Sequence, residues 1–243
     1  MYMKNPEELI SISLGSAETT LLKLTSAYSS FVNGGKLINP IFLDRIQDSE
    51  GNTIFSSEKR ICNKCKEISY LGNDIPKIKD NFQKIFSEET AYQVTSMLEG
   101  AIQRGTGKGL KDLNLDLAGK TGTTNDNTDA WFVGFTSNLV IGVYVGFDEP
   151  NSLGRYETGS KTAMPIFKNF IKKAIRKGDA RPFKVAKNIK FLIIDQKTGK
   201  KAHFGSKTTI IEAYKKKNSL KNNLFTNDDL NMKVDKNNIL KFY

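Results

Sequence analysis

"AGKTGTTNDNTDAWFVGF", residues 118–135, sets two extended segments on either side of a polar turn. Residues 117–124 read as one strand, 129–136 as a second and 139–147 as a third. Little more than Ser137 and Asn138 separates the last two, so they pair as an antiparallel hairpin. Within the first strand a lysine, Lys120, stands beside glycine, which suggests a place where a substrate is gripped.

In the third strand Gly142 and Gly146 share a face with Val140 and Tyr144, while Leu139, Ile141, Val143, Val145 and Phe147 take the other. Two glycines on one face allow a helix backbone to approach it. The helix expected there is 164–178, "MPIFKNFIKKAIRKG", with Pro165 near its start, an apolar side from Ile166 to Ile175, and Gly178 past its end.

Upstream, Ser16 is placed to cap a helix reaching Val32, with Leu21, Leu24, Tyr28 and Phe31 on one side and Asn33-Gly34-Gly35 ending it. Alternation on both sides of Gly51-Asn52 predicts a β-hairpin, and residues 60–82 read as a loop, so that 41–82 form a hairpin-and-loop insertion. Ser87, followed by Glu88 and Glu89, opens a second helix that Arg104 and Gly105 close. "GTGKGL", 105–110, reads as a loop, with a turn near Asn114. Beyond Pro182 one strand is expected, Ile189 to Asp195, and then lysine- and asparagine-rich sequence of weak periodicity. The main domain is therefore drawn as 1–182 and a basic extension as 183–243.

The 243 residues are 38% hydrophobic and 26% charged, enough for a real core. The formal net charge of +11 is uneven: from Ser160 onward there are 21 Lys and Arg against 6 Asp and Glu, leaving 16 against 20 before it. These lysines are interspersed with Asn, Ser and Asp, and no aromatic platform interleaves them. A solvated surface is expected, and no nucleic-acid partner. No run of about 18 apolar residues is present and the first residues lack the apolar core of a signal peptide, so the chain as written carries no export route. Cys62 and Cys65 form a lone C-x-x-C; zinc needs four ligands and the single histidine is His203, so the pair is assigned to a loop and no metal is expected. Gly119-Lys120-Thr121 misses the phosphate-loop pattern because Asn114 stands where its first glycine belongs, and "GTGKGL" misses the dinucleotide pattern at Leu110.

Larger blocks carry more information. Leu14-Gly15-Ser16, Asn33-Gly34-Gly35, Arg104-Gly105-Thr106, Ala118 to Thr124, Asp129 to Thr136, Val145 to Asp148, and Glu157-Thr158-Gly159 followed by Pro165-Ile166-Phe167 occur in this order. From about Ser13 to Ala180 the chain resembles the C-terminal part of the transpeptidase domain of class A penicillin-binding proteins, the 1A type. The resemblance implies a partial β-lactamase/transpeptidase-like α/β (α+β) fold: an antiparallel sheet with flanking helices and the active site at one strand's edge, lacking the N-terminal part of the domain. It implies serine acyl transfer that cross-links peptidoglycan stem peptides, acylation of the same serine by penicillins and other β-lactams, no cofactor, and the periplasmic face of the bacterial inner membrane.

The family's site joins Ser-x-x-Lys, Ser-x-Asn and Lys-Thr-Gly. By resemblance Lys120 is the catalytic lysine of the third motif, and Thr121, Gly122, Thr123 and Thr124 bind substrate. A strand edge can hold an extended peptide by main-chain hydrogen bonds, and Gly122 leaves that approach open. Positive charge at Lys120 favours the charge that develops in acyl transfer. Alternation puts Lys120, Gly122 and Thr124 on one face and Thr121 and Thr123 on the other, whereas the family has Lys120 and Thr123 serve one site; a local twist is expected to reconcile them.

The first two motifs are expected upstream of this chain, as are a glycosyltransferase domain and the membrane anchor. A formal Ser-x-x-Lys, Ser56 to Lys59, falls beside the predicted hairpin and is not expected to act. Three readings follow: a transpeptidase fragment inactive alone, one half of a split transpeptidase that assembles with a separate N-terminal chain, or a basic binding module for an anionic partner.

Overall fold

A computed structural model of the chain describes residues 12, 15, 17–60, 62–63, 77–78, 81–176 and 181–216. At its centre is an antiparallel sheet in the order β5-β6-β7, with β5 Ala118–Thr123, β6 Asp129–Phe135 and β7 Val140–Gly146. Gly122 stands opposite Trp131, and Trp131 opposite Tyr144.

Alternation along β6 divides the two faces. On one, Phe132 and Ala130 are sealed under helix α3, Ala163–Ala174, with Phe167, Met164 and Ile171 joined by Ile102, Leu110 and Leu117. Phe132 and Phe167 are both 0% exposed and meet edge to face at 4.8 Å. Each buried ring contributes about 2–3 kcal/mol of transfer free energy. Gly134 is required there, since a Cβ would come within 2.6 Å of the Phe132 ring and 2.8 Å of Phe167.

The opposite face is covered by helix α1, Leu21–Val32, which replaces the partner expected from the sequence. A Cβ on Gly142 would collide with Thr25 Oγ1 of α1, and α3 lies instead on the side of Ile141, Val143 and Val145. The large stripe of α3 needs the deep apolar face, whereas α1 offers small Thr25 where a backbone must come close. Gly146 faces no helix; a Cβ there would meet the Tyr144 side chain and Asp129. The predicted Ser16 cap lies outside the described residues, and α1 is opened by Thr20, whose Oγ1 accepts from Lys23 N–H at 3.3 Å.

Helix α2, Glu88–Gln103, starts as expected: Ser87 Oγ accepts from Thr90 N–H at 3.1 Å, and Glu88 and Glu89 sit at the positive end of the helix dipole. "GTGKGL" is not an open loop. Residues Lys108–Leu113 coil into a 3₁₀ helix because Leu110, 1% exposed, is drawn into the core, and Lys168 of α3 ties it down through Gly109 O (2.6 Å) and Asp112 Oδ1 (2.7 Å). Asn114 closes it in the left-handed region, φ 50°.

The hairpin of β1, Arg45–Gln47, and β2, Thr53–Ser56, forms about the predicted turn, where Asp48 Oδ1 accepts from Asn52 N–H at 2.8 Å and Gly51 has φ 85°. It projects into solvent, with Phe42 before it 84% exposed. Where a loop was expected, β3, Cys62–Asn63, pairs with β4, Lys77–Ile78; Cys65 lies outside the described residues.

Strand β8, Ile189–Asp195, appears as expected, but it has a partner the sequence did not announce, β9, Thr209–Lys215. The pair packs on α2. Phe191 meets Tyr92 edge to face at 6.1 Å, Gln93 Nε2 donates to Ala213 O at 2.9 Å, Lys215 Nζ donates to Thr90 Oγ1 at 2.6 Å, and Arg104 pairs with Glu212 at 3.3 Å. Phe183 reaches Phe135 at 5.6 Å. The described part of the segment after residue 182 is thus laid against the body of the molecule.

Candidate active site

β5 is the outer strand of the sheet, and among the described residues no strand pairs with its far side. Its first residues, Ala118 and Gly119, are buried, and from Lys120 the strand emerges to the surface. Gly119 is held by packing: a Cβ would lie 2.9 Å from Val133 O and 3.0 Å from the Phe132 ring.

Lys120 is exposed, on the α1 side of the sheet together with Gly122 and Trp131. Its Nζ folds back over the open edge to donate to Thr121 O at 2.9 Å and comes within 3.5 Å of Thr121 Oγ1, a side chain from the opposite face. The open edge brings the two faces of the strand together: a long cation reaches round a border that has no neighbouring strand. Thr121 Oγ1 is also 2.8 Å from Thr106 Oγ1, so the Arg104-Gly105-Thr106 end of α2 is anchored to this strand. Sequence alone marks that motif without giving Thr106 a place at the site.

Thr123 has a different neighbour. Its Oγ1 accepts from Gly159 N–H at 3.0 Å, and Gly159 is buried flat against β5 and β6. A Cβ at Gly159 would strike Trp131 O and lie 2.5 Å from Gly122 O and 3.1 Å from Gly122 N. The Glu157-Thr158-Gly159 segment therefore braces Gly122 from behind while its front stays bounded only by Trp131, 3.2 Å from a Cβ there. Thr124 is used by the turn: Asp129 N–H donates to its Oγ1 at 2.7 Å, and Thr128 Oγ1 lies 2.7 Å away.

The turn after Thr124 is itself constrained. Asp126 and Asn127 have φ of 59° and 54°, a left-handed conformation that Asp and Asn tolerate better than other side chains. Ser152 Oγ donates to Asp126 O at 2.8 Å, and Asn127 Nδ2 donates to the carbonyls of Gly154 and Arg155 at 3.2 and 3.1 Å. Across the sheet Tyr144 stacks obliquely on Trp131 at 4.6 Å and donates to Asp129 Oδ1 at 3.0 Å, a bond that raises the phenol pKa.

Behind the strand, burial pushes the Glu99 carboxyl of α2 up to about 7, with the negative charge of Asp116 adding to it. Ser56, by contrast, ends β2 on the exposed hairpin, where its Oγ accepts from Glu58 N–H at 3.2 Å; it does not open a buried helix. Among the described residues no three His, Cys, Asp or Glu side chains are grouped to hold a metal, and no helix is long and apolar enough to cross a membrane. A cleft of about 230 Å³ bounded by Phe31, Tyr92 and Phe183 includes no residue of β5. The site candidate is an edge, as the strand geometry requires.

The arrangement has known counterparts. Residues 4–172 match the penicillin-binding protein transpeptidase domain. The chain is 41% identical over 239 residues to penicillin-binding protein 1A of Rickettsia conorii, covering 98% of this chain and 30% of that protein. It is 43% identical over 217 residues to the 1A protein of Rickettsia prowazekii, covering 88% of this chain and 27% of the other. The crystal structure of penicillin-binding protein 1A from Haemophilus influenzae superposes with a TM-score of 0.68 at 33% identity, over 83% of this chain and 33% of that one. The chain thus spans about 30% of the length of the curated relatives it matches, and its mixed helix and antiparallel-sheet architecture corresponds to part of the transpeptidase fold. With residues 4–172 matched and the Lys-Thr-Gly strand at the edge of its sheet, this chain belongs to the penicillin-binding protein transpeptidase family.

Proposed function

We propose that the chain supplies the Lys-Thr-Gly wall of a D,D-transpeptidase site that cross-links peptidoglycan stem peptides and is acylated by β-lactams. The observation that carries this reading is the open edge of β5, with Lys120 Nζ at Thr121 O and the hydroxyls of Thr121 and Thr123 fixed at either end of Gly122. A stem peptide lies along this edge by main-chain hydrogen bonds, and Gly122 lets it come close. The nucleophile is a serine supplied by the upstream half of the domain. Its Oγ attacks the peptide carbonyl, the Lys120 ammonium stabilises the negative charge that develops, and the terminal residue leaves with a proton; a second peptide amine then takes the acyl group and frees the serine. All of this is side-chain chemistry, and no cofactor takes part.

That upstream half is the partner this reading requires, on the same polypeptide or as a separate chain. Support comes from β7, whose outer side is also unpaired among the described residues, and from Phe147 at its end, 55% exposed. The compartment that fits is the periplasmic face of the inner membrane, reached through an N-terminal anchor. Alone, the chain is inactive.

The test is incubation of the purified chain, alone and with the upstream half of a related domain, with a fluorescent penicillin, followed by denaturing electrophoresis and mass spectrometry. Label on the upstream half that depends on this chain is the expected result. Label on this chain alone would place the nucleophile here and overturn the reading.

A further inference from the structure

The far end of the β8-β9 pair is the connection "QKTGKKAHFGSKT", residues 196–208, which contains four lysines and no Asp or Glu. Lys197, Lys200 and Lys207 are exposed there, and Phe204 is fully exposed and belongs to neither apolar cluster of the described residues. Residues 181–216 hold ten Lys and Arg against two carboxylates, Asp195 and Glu212, and both are engaged. Asp195 Oδ1 accepts from the N–H groups of Lys197 and Thr198 at 2.9 and 3.0 Å, and Glu212 pairs with Arg104. The positive charge of this end therefore has no acidic counterpart within the connection itself.

Backbone hydrogen bonds fold the connection into a compact end. Gln196 N–H donates to Thr208 O at 3.0 Å, Gly199 N–H to Asp195 O at 2.9 Å, Asp195 N–H to Lys200 O at 2.8 Å and Ala202 N–H to Ile193 O at 3.0 Å. Its tip is a turn: Ser206 N–H donates to His203 O at 3.0 Å, Ser206 Oγ accepts from His203 N–H at 3.2 Å, and Gly205 has φ 111°. Phe204 stands at the apex of that turn, so an apolar ring is held out where it buries nothing of its own fold. A single exposed apolar side chain is ordinary on a protein surface. One carried at the tip of an acid-free basic connection has the composition of an interfacial anchor, cations for headgroup phosphates and a ring for the apolar layer beneath them.

The geometry points to a membrane-docking surface: the end of the β8-β9 pair, with Lys197, Lys200 and Lys207 at lipid phosphates and Phe204 inserted at the level of the headgroups, binds the surface of an anionic phospholipid bilayer. This contact is peripheral and separate from any N-terminal anchor. Nucleic acid fits the same end less well, because one ring offers no succession of stacking faces for bases. The lysines act through exposed charge, so their share of the binding is screened by salt, whereas the share of Phe204 is not.

The test is co-sedimentation of the full chain with phosphatidylcholine vesicles, with and without about 30% phosphatidylglycerol, at low salt and at about 0.2 M salt. The expected result is binding to the anionic vesicles alone, weaker at the higher salt. Partitioning should fall by about 30-fold or more in K197Q/K200Q/K207Q and by about tenfold in Phe204→Ala, with thermal unfolding of both variants unchanged. A short DNA duplex serves as the soluble polyanion, and Phe204→Ala should not alter what binding it shows. Equal partitioning onto neutral and anionic vesicles, or partitioning unchanged in K197Q/K200Q/K207Q, overturns the proposal. So does binding to anionic vesicles that Phe204→Ala leaves intact, which would reduce the surface to unspecific charge. Lysine-dependent binding to the duplex without binding to vesicles overturns it in favour of a soluble polyanion.

Discussion

Gly159 and Thr123 lie 36 residues apart and meet through one hydrogen bond, Gly159 N–H to Thr123 Oγ1 at 3.0 Å. The bond joins the segment before α3 to the last residue of β5, and Gly159 has no room for a side chain on the sheet side. Gly159→Ala must push the segment off Gly122 and Trp131, at a cost of about 1–3 kcal/mol in overpacking. Thermal unfolding reads that cost. In the assembled domain penicillin acylation should fall by about tenfold or more, because Thr123 loses its fixed rotamer; acylation at the parental rate would show that Gly159 matters only for packing.

Lys120 separates charge from architecture. Its side chain is exposed and bonded only to its own strand's Thr121, so Lys120→Ala should leave the fold and its assembly with the upstream half intact. On the proposed reading Lys120 stabilises the charge that develops in acyl transfer; loss of one such group is worth about 10²–10³-fold in rate, and acylation by penicillin should fall by that much. Lys120→Arg, which keeps the charge but not its compact placement, should recover a minor part. Equal acylation by all three proteins would take Lys120 out of the site.

Glu99 gives the molecule a pH signature. Its folded pKa of about 7 is above the ordinary 4.5, so the folded state holds a proton that the unfolded chain releases between those values. The resulting stabilisation is complete below about 4.5 and is lost as pH rises through 7, by at most about 3 kcal/mol. Glu99→Gln should flatten this dependence and unfold at higher temperature than the parent at pH 8. A parallel decline of both proteins across pH 5–8 would assign the effect to other groups.

The central hairpin is legible because its two signals agree: alternation through "DAWFVGF" and "VIGVYVG", and a connection too short for anything but antiparallel pairing. The caps of α2 are legible for a similar local reason, Ser87 followed by Glu88 and Glu89. Contacts between elements are not. Gly142 correctly signals a close helix, but nothing local says that the helix is α1, more than 100 residues earlier, instead of α3, which follows directly. Thr106 and Gly159 do not stand out as site residues in the sequence because their roles are a hydroxyl contact and a backbone N–H, both created by packing. Alternation sets Lys120 and Thr123 on opposite faces, and the expected twist does not bring their side chains together: Lys120 bends round the open edge to Thr121, while Thr123 is held by Gly159.

The β8-β9 pair shows the same limit and yields the last prediction. Its strand β9, "TIIEAYK", buries only Ala213, so alternation is weak and the segment reads as polar extension. What holds it is α2: Phe191 on Tyr92, Gln93 on the Ala213 carbonyl, Lys215 on Thr90. An extension free in solvent could be removed without consequence, whereas a packed pair cannot. Truncation after residue 182 should therefore lower the unfolding temperature by several degrees and expose Tyr92 to solvent. A double-mutant cycle on Tyr92→Ala and Phe191→Ala should return a coupling of about 0.5–1.5 kcal/mol. A coupling near zero, with no loss on truncation, would mean that the pair adds nothing to the body it lies on, and that its basic surface has to be explained by something other than the fold.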